Sequence, residues 1–301
     1  MIGDEPWGLV GGAGRWSSGN WQGEISAYLT SRAAQGYNAL EIDLVPSQWN
    51  GLAAGSGVTW DGVSMFNGGS STTPGDPSLG LNGTYWQRVD YLLTTAAGLG
   101  MTLFATLAQS YDIDNTTAPA QALGGLTATQ YTNYGLNVAS RYLGTKNLIW
   151  MIEDDYFGET DTIVSNILTG IRNAGDTRPI AIENYPESTS RKDMSDGSVL
   201  AWGTSNAQYQ WVYSYNVSYL GVEDAYEESS PIPVIRGDGI YYGNSGDEQL
   251  MRNLAWWALA SGSRGFFGGD DRIWQWPSPA PANVTVGTFQ PAMIGAAARA
   301  F

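Results

Sequence analysis

A short apolar run at residues 148–152 ends in three consecutive carboxylates, Glu153, Asp154 and Asp155. A strand buried on both faces is a continuous hydrophobic run, which is typical of parallel sheets covered by helices. Three like charges at the tip of such a strand would be costly to bury unless they face a cleft. The run therefore predicts a parallel strand whose carboxyl end lies at a functional site.

Similar runs recur along the chain and alternate with helical patterns. The predicted strands are residues 7–10, 39–45, 101–107, 148–152, 179–182, 211–215, 233–235 and 265–267. The predicted helices are residues 25–32, 86–96, 131–142, 163–171 and 248–261. Eight strands interleaved with helices predict an α/β fold, a (β/α)8 TIM barrel formed by a single domain over residues 1–301. A doubly wound open sheet is the alternative.

Composition excludes several kinds of chemistry. The 301 residues include no histidine and no cysteine, so Ser-His-Asp and Cys-His nucleophilic systems, thiolate zinc sites and disulfides are ruled out. Acidic residues outnumber basic residues by 29 to 14, which gives a formal net charge of −15. Because this charge repels phosphate backbones and anionic lipid surfaces, we expect neither a nucleic-acid partner nor a membrane partner.

The two ends of the chain carry no targeting signal that the sequence reveals. No run approaches roughly 18 apolar residues, and the N-terminus has neither a basic nor an apolar signal region. The C-terminal residues 290–301 have a helical pattern without a capping signal. We therefore expect a domain excised from a longer protein.

Long polar segments follow several predicted strands, whereas most connections from helix to strand are short, so the long loops gather on one face. They carry an unusual share of aromatic residues, namely Trp49, Trp60, Phe66, Tyr111, Trp274 and Trp276. Flat rings offer stacking surfaces for sugars, although rings in such loops also pin the loops to the barrel. The sequence leaves both roles open for any one ring.

Acidic residues stand at the ends of several predicted strands: Asp43, the three at 153–155, Glu183, Asp238, Asp270 and Asp271, with Asp4 before the first strand. Cleavage of a glycosidic bond needs two carboxyl groups, one protonated and one ionised. The same acids could bind a hard cation such as calcium, but no EF-hand spacing is present. We expect catalysis without a metal or another cofactor.

Several blocks of sequence occur in the order and spacing of one known family. Gly3, Asp4 and Trp7 form a Gly-Asp-x-x-Trp opening. Further blocks follow at residues 28–38, 85–100, 147–150, 233–238, 252–262 and 273–275. Together these blocks resemble the apiosidase-like glycoside hydrolases of family 140. The resemblance implies a (β/α)8 barrel that hydrolyses glycosidic bonds, with apiose-containing plant pectin as the family's characterised substrate class.

The resemblance also implies a catalytic pair. The family's Gly-Gly-Asp ending of the fourth strand falls on residues 153–155 and places Asp155 as general acid/base. Its Gly-Glu-Pro nucleophile motif falls on residues 237–239 and places Asp238 as nucleophile. Glu153 and Asp154 replace two glycines, and Asp270 and Asp271 replace residues that are often histidine in relatives. These departures predict a reshaped sugar site.

Two functions remain open. The first is a glycoside hydrolase, retaining, which acts on a polysaccharide or oligosaccharide at an extracellular or virion-associated location, such as a phage depolymerase domain. Its substrate-binding residues would be Asp4, Trp7, Asp43, Glu153, Asp154, Glu183, Tyr241, Asp270, Asp271 and Trp274. The second is a carbohydrate-binding or adhesion module that has kept the barrel and lost turnover.

Overall fold

A nine-stranded, mostly parallel sheet organises the chain. The computed structural model describes residues 1–45, 57–109, 113, 122–152, 161–243, 246, 248–277, 284–285 and 288–289. The strands are β1 Ile2–Asp4, β2 Ala39–Asp43, β3 Thr102–Thr106, β4 Leu148–Met151, β5 Ile180–Ala181, β6 Ser188–Thr189, β7 Gln210–Tyr213, β8 Val234–Arg236, β9 Gly265–Phe267, β10 Val284–Thr285 and β11 Thr288–Phe289. The helices are α1 Leu9–Gly12, α2 Trp21–Ala34, α3 Gly83–Gly98, α4 Ala128–Tyr142, α5 Asp161–Asn173, α6 Ala201–Asn206, α7 Ser218–Tyr226 and α8 Glu248–Ala260.

The strand order in this sheet is β5-β4-β3-β2-β1-β9-β8-β7-β6, and β10 pairs with β11 separately. Every pairing in the large sheet is parallel except that of β6 with β7. The predicted α/β class is confirmed as a curled, parallel-dominated sheet. The prediction of a closed barrel is not, because the described ladder leaves β5 and β6 unpaired with each other.

A buried serine bridges this open seam. The hydroxyl of Ser190 donates to the carbonyl of Ile182, just beyond β5, at 2.5 Å. The same hydroxyl accepts the N–H of Trp211 in β7 at 2.8 Å. Gln208, just before β7, donates its N–H to the carbonyl of Ile180 at 2.9 Å. The two sides of the seam are thus linked by individual hydrogen bonds rather than by a regular ladder.

The first predicted strand, residues 7–10, is wrong. The structure places β1 at Ile2–Asp4, and the apolar residues after Trp7 begin the short helix α1 instead. Close packing explains the helix: a Cβ on Gly8 would lie 2.5 Å from the carbonyl oxygen of Gln275, and one on Gly12 would lie 2.8 Å from the ring of Trp276. The two glycines therefore let this turn pack against the segment after β9.

The other seven predicted strands and all five predicted helices are confirmed, with differences at their ends. Strands β6, β10 and β11 and the helices α1, α6 and α7 were not predicted, because each is too short to show a periodic pattern. The predicted helix at residues 290–301 lies outside the described residues.

The concave side of the sheet is filled by one apolar layer. It consists of Ala39, Phe104, Met151, Ala181, Trp211, Ile235 and Phe267. Strand β1 contributes Gly3 to this side, where a Cβ would lie 2.2 Å from the ring of Phe267. A larger core lies between the sheet and the helices. Because side chains alternate along a strand, residues two positions beyond this layer lie on the same side, toward the carboxyl ends of the strands.

A buried ion pair joins β1 to α2. The carboxylate of Asp4 lies 2.5 Å from Nε of Arg32 and accepts a hydrogen bond from the hydroxyl of Tyr28, and all three side chains are buried. Burial alone would lower the pKa of Arg32, but the charge of Asp4 raises it overall. Asp4 therefore lies between the sheet and α2, and its carboxylate stabilises the buried guanidinium.

Replacing either member of the Asp4–Arg32 ion pair should destabilise the protein. We expect Asp4→Asn or Arg32→Met to lower the free energy of unfolding by about 3–5 kcal/mol, since each leaves a buried group without its counter-charge. Urea denaturation at neutral pH measures this change. The control is Asp90→Asn, which breaks an ion pair with Arg141 whose side chains are 40% and 31% exposed, and it should cost at most about 1 kcal/mol. Full stability of Asp4→Asn combined with lost activity would instead indicate that Asp4 contacts the substrate.

Candidate active site

Acidic side chains lie one step above the apolar layer of the sheet. Glu41 and Asp43 follow Ala39 on the same side of β2, and Glu183 follows Ala181 in the same way beyond β5. A Cβ on Gly269 would lie 2.8 Å from Oε2 of Glu5, which places that carboxylate beside the chain after β9. All four acids are buried. The register of the parallel strands thus collects carboxylates at the carboxyl edge of the sheet.

Asp238, two residues beyond β8, is buried at the same edge. Its Oδ1 accepts the hydroxyl of Tyr241 and, at 2.5 Å, the N–H of Gly239, and Tyr213 also hydrogen-bonds to its carboxyl group. Burial raises the pKa of Asp238 above the ordinary carboxyl value, while these hydrogen bonds and the charge of Arg236 oppose the rise. The carboxyl group is held in place by several donors yet remains desolvated.

Arg236 lies within the same buried region. Its guanidinium donates to the backbone carbonyls of Gly237, Phe267 and Ser214 and packs over the ring of Phe266. Burial lowers its pKa, opposed by the nearby charges, of which Glu5 is the largest contributor. The arginine therefore joins the ends of β7, β8 and β9 and places a positive charge near Asp238.

Three aromatic rings form a wall next to Asp238. The ring of Tyr241 stacks on Trp274 at 5.5 Å, and Trp7 meets both rings edge-on at 5.9 and 5.3 Å. The indole N–H of Trp7 is buried and has no hydrogen-bond partner among the described atoms. A buried indole N–H without an acceptor costs free energy, so an oxygen acceptor from outside the described atoms would stabilise it.

A family model described as the apiosidase-like catalytic domain matches residues 1–297. The chain belongs to this apiosidase-like family. The match covers nearly the whole chain, so the prediction of a glycoside hydrolase family is confirmed, and the domain is one of a family of glycosidase catalytic domains. No curated protein matches the chain significantly.

Solved structures share the fold of this apiosidase-like domain. A family 5 glycoside hydrolase from Bacteroides vulgatus ATCC 8482 is 18% identical with a TM-score of 0.70, over 95% of this chain and 62% of that one. Another glycoside hydrolase is 19% identical with a TM-score of 0.69, over 97% of this chain and 65% of that one. A hyperthermostable endo-1,4-β-D-mannanase from Thermotoga petrophila RKU-1 is 14% identical with a TM-score of 0.58, over 100% and 99%.

The first two similar chains are longer than this domain, which spans 62% and 65% of their lengths. At these identities the similarity shows a shared fold.

Among the parts of the chain that the structure describes, no group of three or more acids is arranged to hold a metal ion. No helix within those parts is long and apolar enough to cross a membrane.

The structure places the other predicted site residues in three settings. Asp43 lies at the carboxyl edge, where its carboxylate accepts a 2.7 Å hydrogen bond from Gln109. Asp270 is buried and pairs with Arg272, while Asp271 is partly exposed. Partial burial and the charge of Asp270 raise the pKa of Asp271. Asp4 is in the ion pair beneath α2.

The three carboxylates at residues 153–155 lie outside the described residues, so the roles assigned to them stay predictions. The strand before them is confirmed: β4 ends at Met151, and Ile152 is buried. Glu183, beyond the adjacent strand β5, and Asp238, beyond β8, are both buried at the carboxyl edge of the sheet.

Sequence reasoning missed several residues of this region. Glu5 and Glu41 escaped notice because the first strand was misplaced and because Glu41 stands inside a strand rather than at its end. Its alternation with Asp43 along residues 39–43 was the available signal. Tyr213 and Gln109 carry no motif, since their importance comes from contacts with Asp238 and Asp43.

The hydrogen bond from Tyr241 should set the pH dependence of activity. It lowers the pKa of Asp238, so its removal in Tyr241→Phe should raise that pKa further. If ionised Asp238 is required, the acidic limb of kcat/KM should then move to higher pH by about one unit. Profiles of wild type and variant measure the shift.

Tyr242→Phe is the matched control. The ring of Tyr242 packs under Arg272, and among the described residues Tyr242 makes no hydrogen bond to Asp238. Its profile should overlay that of wild type. If the acidic limb of kcat/KM shifts equally in both variants, or does not shift in Tyr241→Phe, then the ionisation of Asp238 does not set that limb.

Proposed function

We propose that this domain is a glycoside hydrolase in which Asp238 is the nucleophile and Asp155 is the general acid/base. The buried carboxyl group of Asp238, held by Tyr241 and Gly239 at the carboxyl edge of the sheet, is the observation that carries the proposal. The same proposal includes a retaining reaction. Membership of the apiosidase-like family supports it.

In a retaining reaction, an Asp238 oxygen attacks the anomeric carbon while Asp155 donates a proton to the departing glycosidic oxygen. The covalent glycosyl ester is then hydrolysed as Asp155 removes a proton from water, and Asp238 leaves as a carboxylate. Preformed donors suit this role, because Tyr241 and Gly239 both bond to Oδ1 and fix the orientation of the carboxylate. The desolvated environment makes the carboxylate more reactive than one in water.

The sugar bound beside Asp238 is proposed to be uncharged. Seven acids occupy the described segments at this edge, namely Glu5, Glu41, Asp43, Glu183, Asp238, Asp270 and Asp271. Two arginines lie in the same segments, and Arg236 bonds to backbone carbonyls while Arg272 pairs with Asp270. A substrate carboxylate here would meet more like charges than counter-charges, since these acids outnumber the arginines by seven to two. A neutral unit of a furanose-rich or otherwise unusual polysaccharide fits this setting better.

More specific parts of the proposal are membership of glycoside hydrolase family 140 and action outside the cell or on a virion, as in a phage depolymerase. The blocks of sequence that resemble family 140 support the first. The second rests on the polymeric nature of the substrate, because large polysaccharides are met outside cells.

Substitution of the two carboxylates tests the pair. We expect Asp238→Ala to lower kcat by more than about 10³-fold, and Asp155→Ala to lower it by about 10²–10⁴-fold for substrates with poor leaving groups. Added azide should rescue each variant differently. With Asp238→Ala it should attack directly and give a glycosyl azide of inverted configuration, whereas with Asp155→Ala it should attack the glycosyl ester and give one of retained configuration.

The control is Asp196→Ala in an exposed loop, which should hydrolyse the substrate at the wild-type rate. The proposal fails if the folded Asp238→Ala variant keeps wild-type activity. Binding of a broad glycan panel without any released sugar would instead favour the adhesion module.

The charge of the substrate can be tested with matched glycans that differ only in a uronate or a neutral sugar at the cleavage site. We expect kcat/KM to be at least about tenfold lower for the uronate. The difference should narrow as ionic strength rises from about 10 mM to about 0.3 M, since salt screens the repulsion. Preference for the uronate at low salt would contradict this substrate class.

A further inference from the structure

Glu187 has a backbone conformation that is unusual for its residue type. Its φ angle is +61°, in the left-handed region that glycine occupies more readily than residues with a Cβ. Such conformations persist where surrounding contacts hold them, and they are frequent near functional sites. The contacts of Glu187 therefore indicate what the conformation serves.

Those contacts join the chain before β6 to the chain after β7. The carboxylate of Glu187 accepts the hydroxyl of Ser214 at 2.8 Å and the N–H of Tyr215 at 2.9 Å. Its backbone carbonyl accepts the N–H of Met194 at 2.9 Å. The next residue, Ser188, pairs with Tyr213 in the antiparallel ladder. Glu187 is thus bonded to two residues of the segment 213–215.

The same segment holds Asp238 from the other side. The hydroxyl of Tyr213 hydrogen-bonds to the Asp238 carboxyl group and lies 2.8 Å from the hydroxyl of Tyr215. The N–H of Ser214 donates to the backbone carbonyl of Asp238 at 3.3 Å. The carbonyl of Ser214 accepts Nη2 of Arg236 at 3.0 Å. A displacement of residues 213–215 would therefore move both the side chain and the backbone contacts of Asp238.

We propose that Glu187 is a positioning residue for Asp238. It fixes the segment 213–215, and through Tyr213 and Ser214 it sets the orientation and hydrogen bonding of the carboxyl group without touching the substrate. This inference rests on the proposed function, because it matters for catalysis only if Asp238 is the nucleophile. The left-handed backbone is the conformation in which these contacts are made.

The structure around Glu187 can accommodate a smaller side chain at this position. Glu187 is half-buried and lines a cavity of about 510 Å³ with Met194, Ser214, Asn216 and Leu220. Removal of its side chain enlarges an existing cavity rather than creating one in the packed core. Glycine also adopts a φ of +61° freely, so Glu187→Gly removes the two carboxylate bonds while relieving the backbone.

Three variants separate positioning from strain. We expect Glu187→Gly to fold with a Tm close to that of wild type and to lose between about tenfold and a hundredfold in kcat, with little change in KM. Glu187→Gln retains a hydrogen-bonding group of the same length and should recover most of this loss. Ser18→Gly is the control, since Ser18 is an exposed residue with a φ of +54° and should keep wild-type kcat.

The pKa of Asp238, followed by carboxyl NMR, gives a readout that needs no activity. Because the hydrogen bond from Tyr213 lowers this pKa, loosening Tyr213 in Glu187→Gly should raise it, and the acidic limb of kcat/KM should move to higher pH with it. An unchanged pKa and an unchanged kcat in folded Glu187→Gly would overturn the positioning role. A raised pKa with unchanged kcat would confirm that Glu187 positions Asp238 and would refute the catalytic role of Asp238.

Discussion

The parallel register of the curled sheet determines where the acids carried by the strands of the site lie. Alternation places one apolar layer on the concave side, and the next residue on the same side of several strands is acidic, as at Glu41 and Glu183. Each strand is short, so a shift of one residue would exchange these acids with residues of the outer core. The site therefore depends on strand pairing, including the hydrogen bonds of Ser190 across the open seam.

Asp238 connects the parts of this edge. Tyr241 links it to the aromatic wall, Arg236 links it to the ends of three strands, and Ser214 links it to Glu187. Its carboxyl group is desolvated and well supplied with donors, a combination that holds a nucleophile in place at some cost in its readiness to ionise. The acidic surroundings are the basis on which we propose an uncharged sugar at this site.

Sequence patterns located much of this arrangement. Seven strands, five helices and the acids after β5, β8 and β9 followed from periodicity and strand ends. Residues 7–10 were misread as a strand, because an apolar run with glycines has no period that distinguishes a strand from a short helix. The pairing of Asp4 with Arg32 and the chain of contacts through Glu187 could not be read from sequence, since both join residues that are distant along the chain. The antiparallel β6 is two residues long and leaves no pattern at all.

Covalent trapping of the glycosyl ester would identify the nucleophile. A 2-deoxy-2-fluoro glycosyl fluoride of the sugar released in a glycan screen slows hydrolysis of the ester enough for mass spectrometry of peptides to locate it. We expect one glycosyl group per protein, attached to the peptide that contains Asp238. An adduct on another carboxylate, such as Glu183, or a product of inverted configuration formed without any adduct, would contradict it.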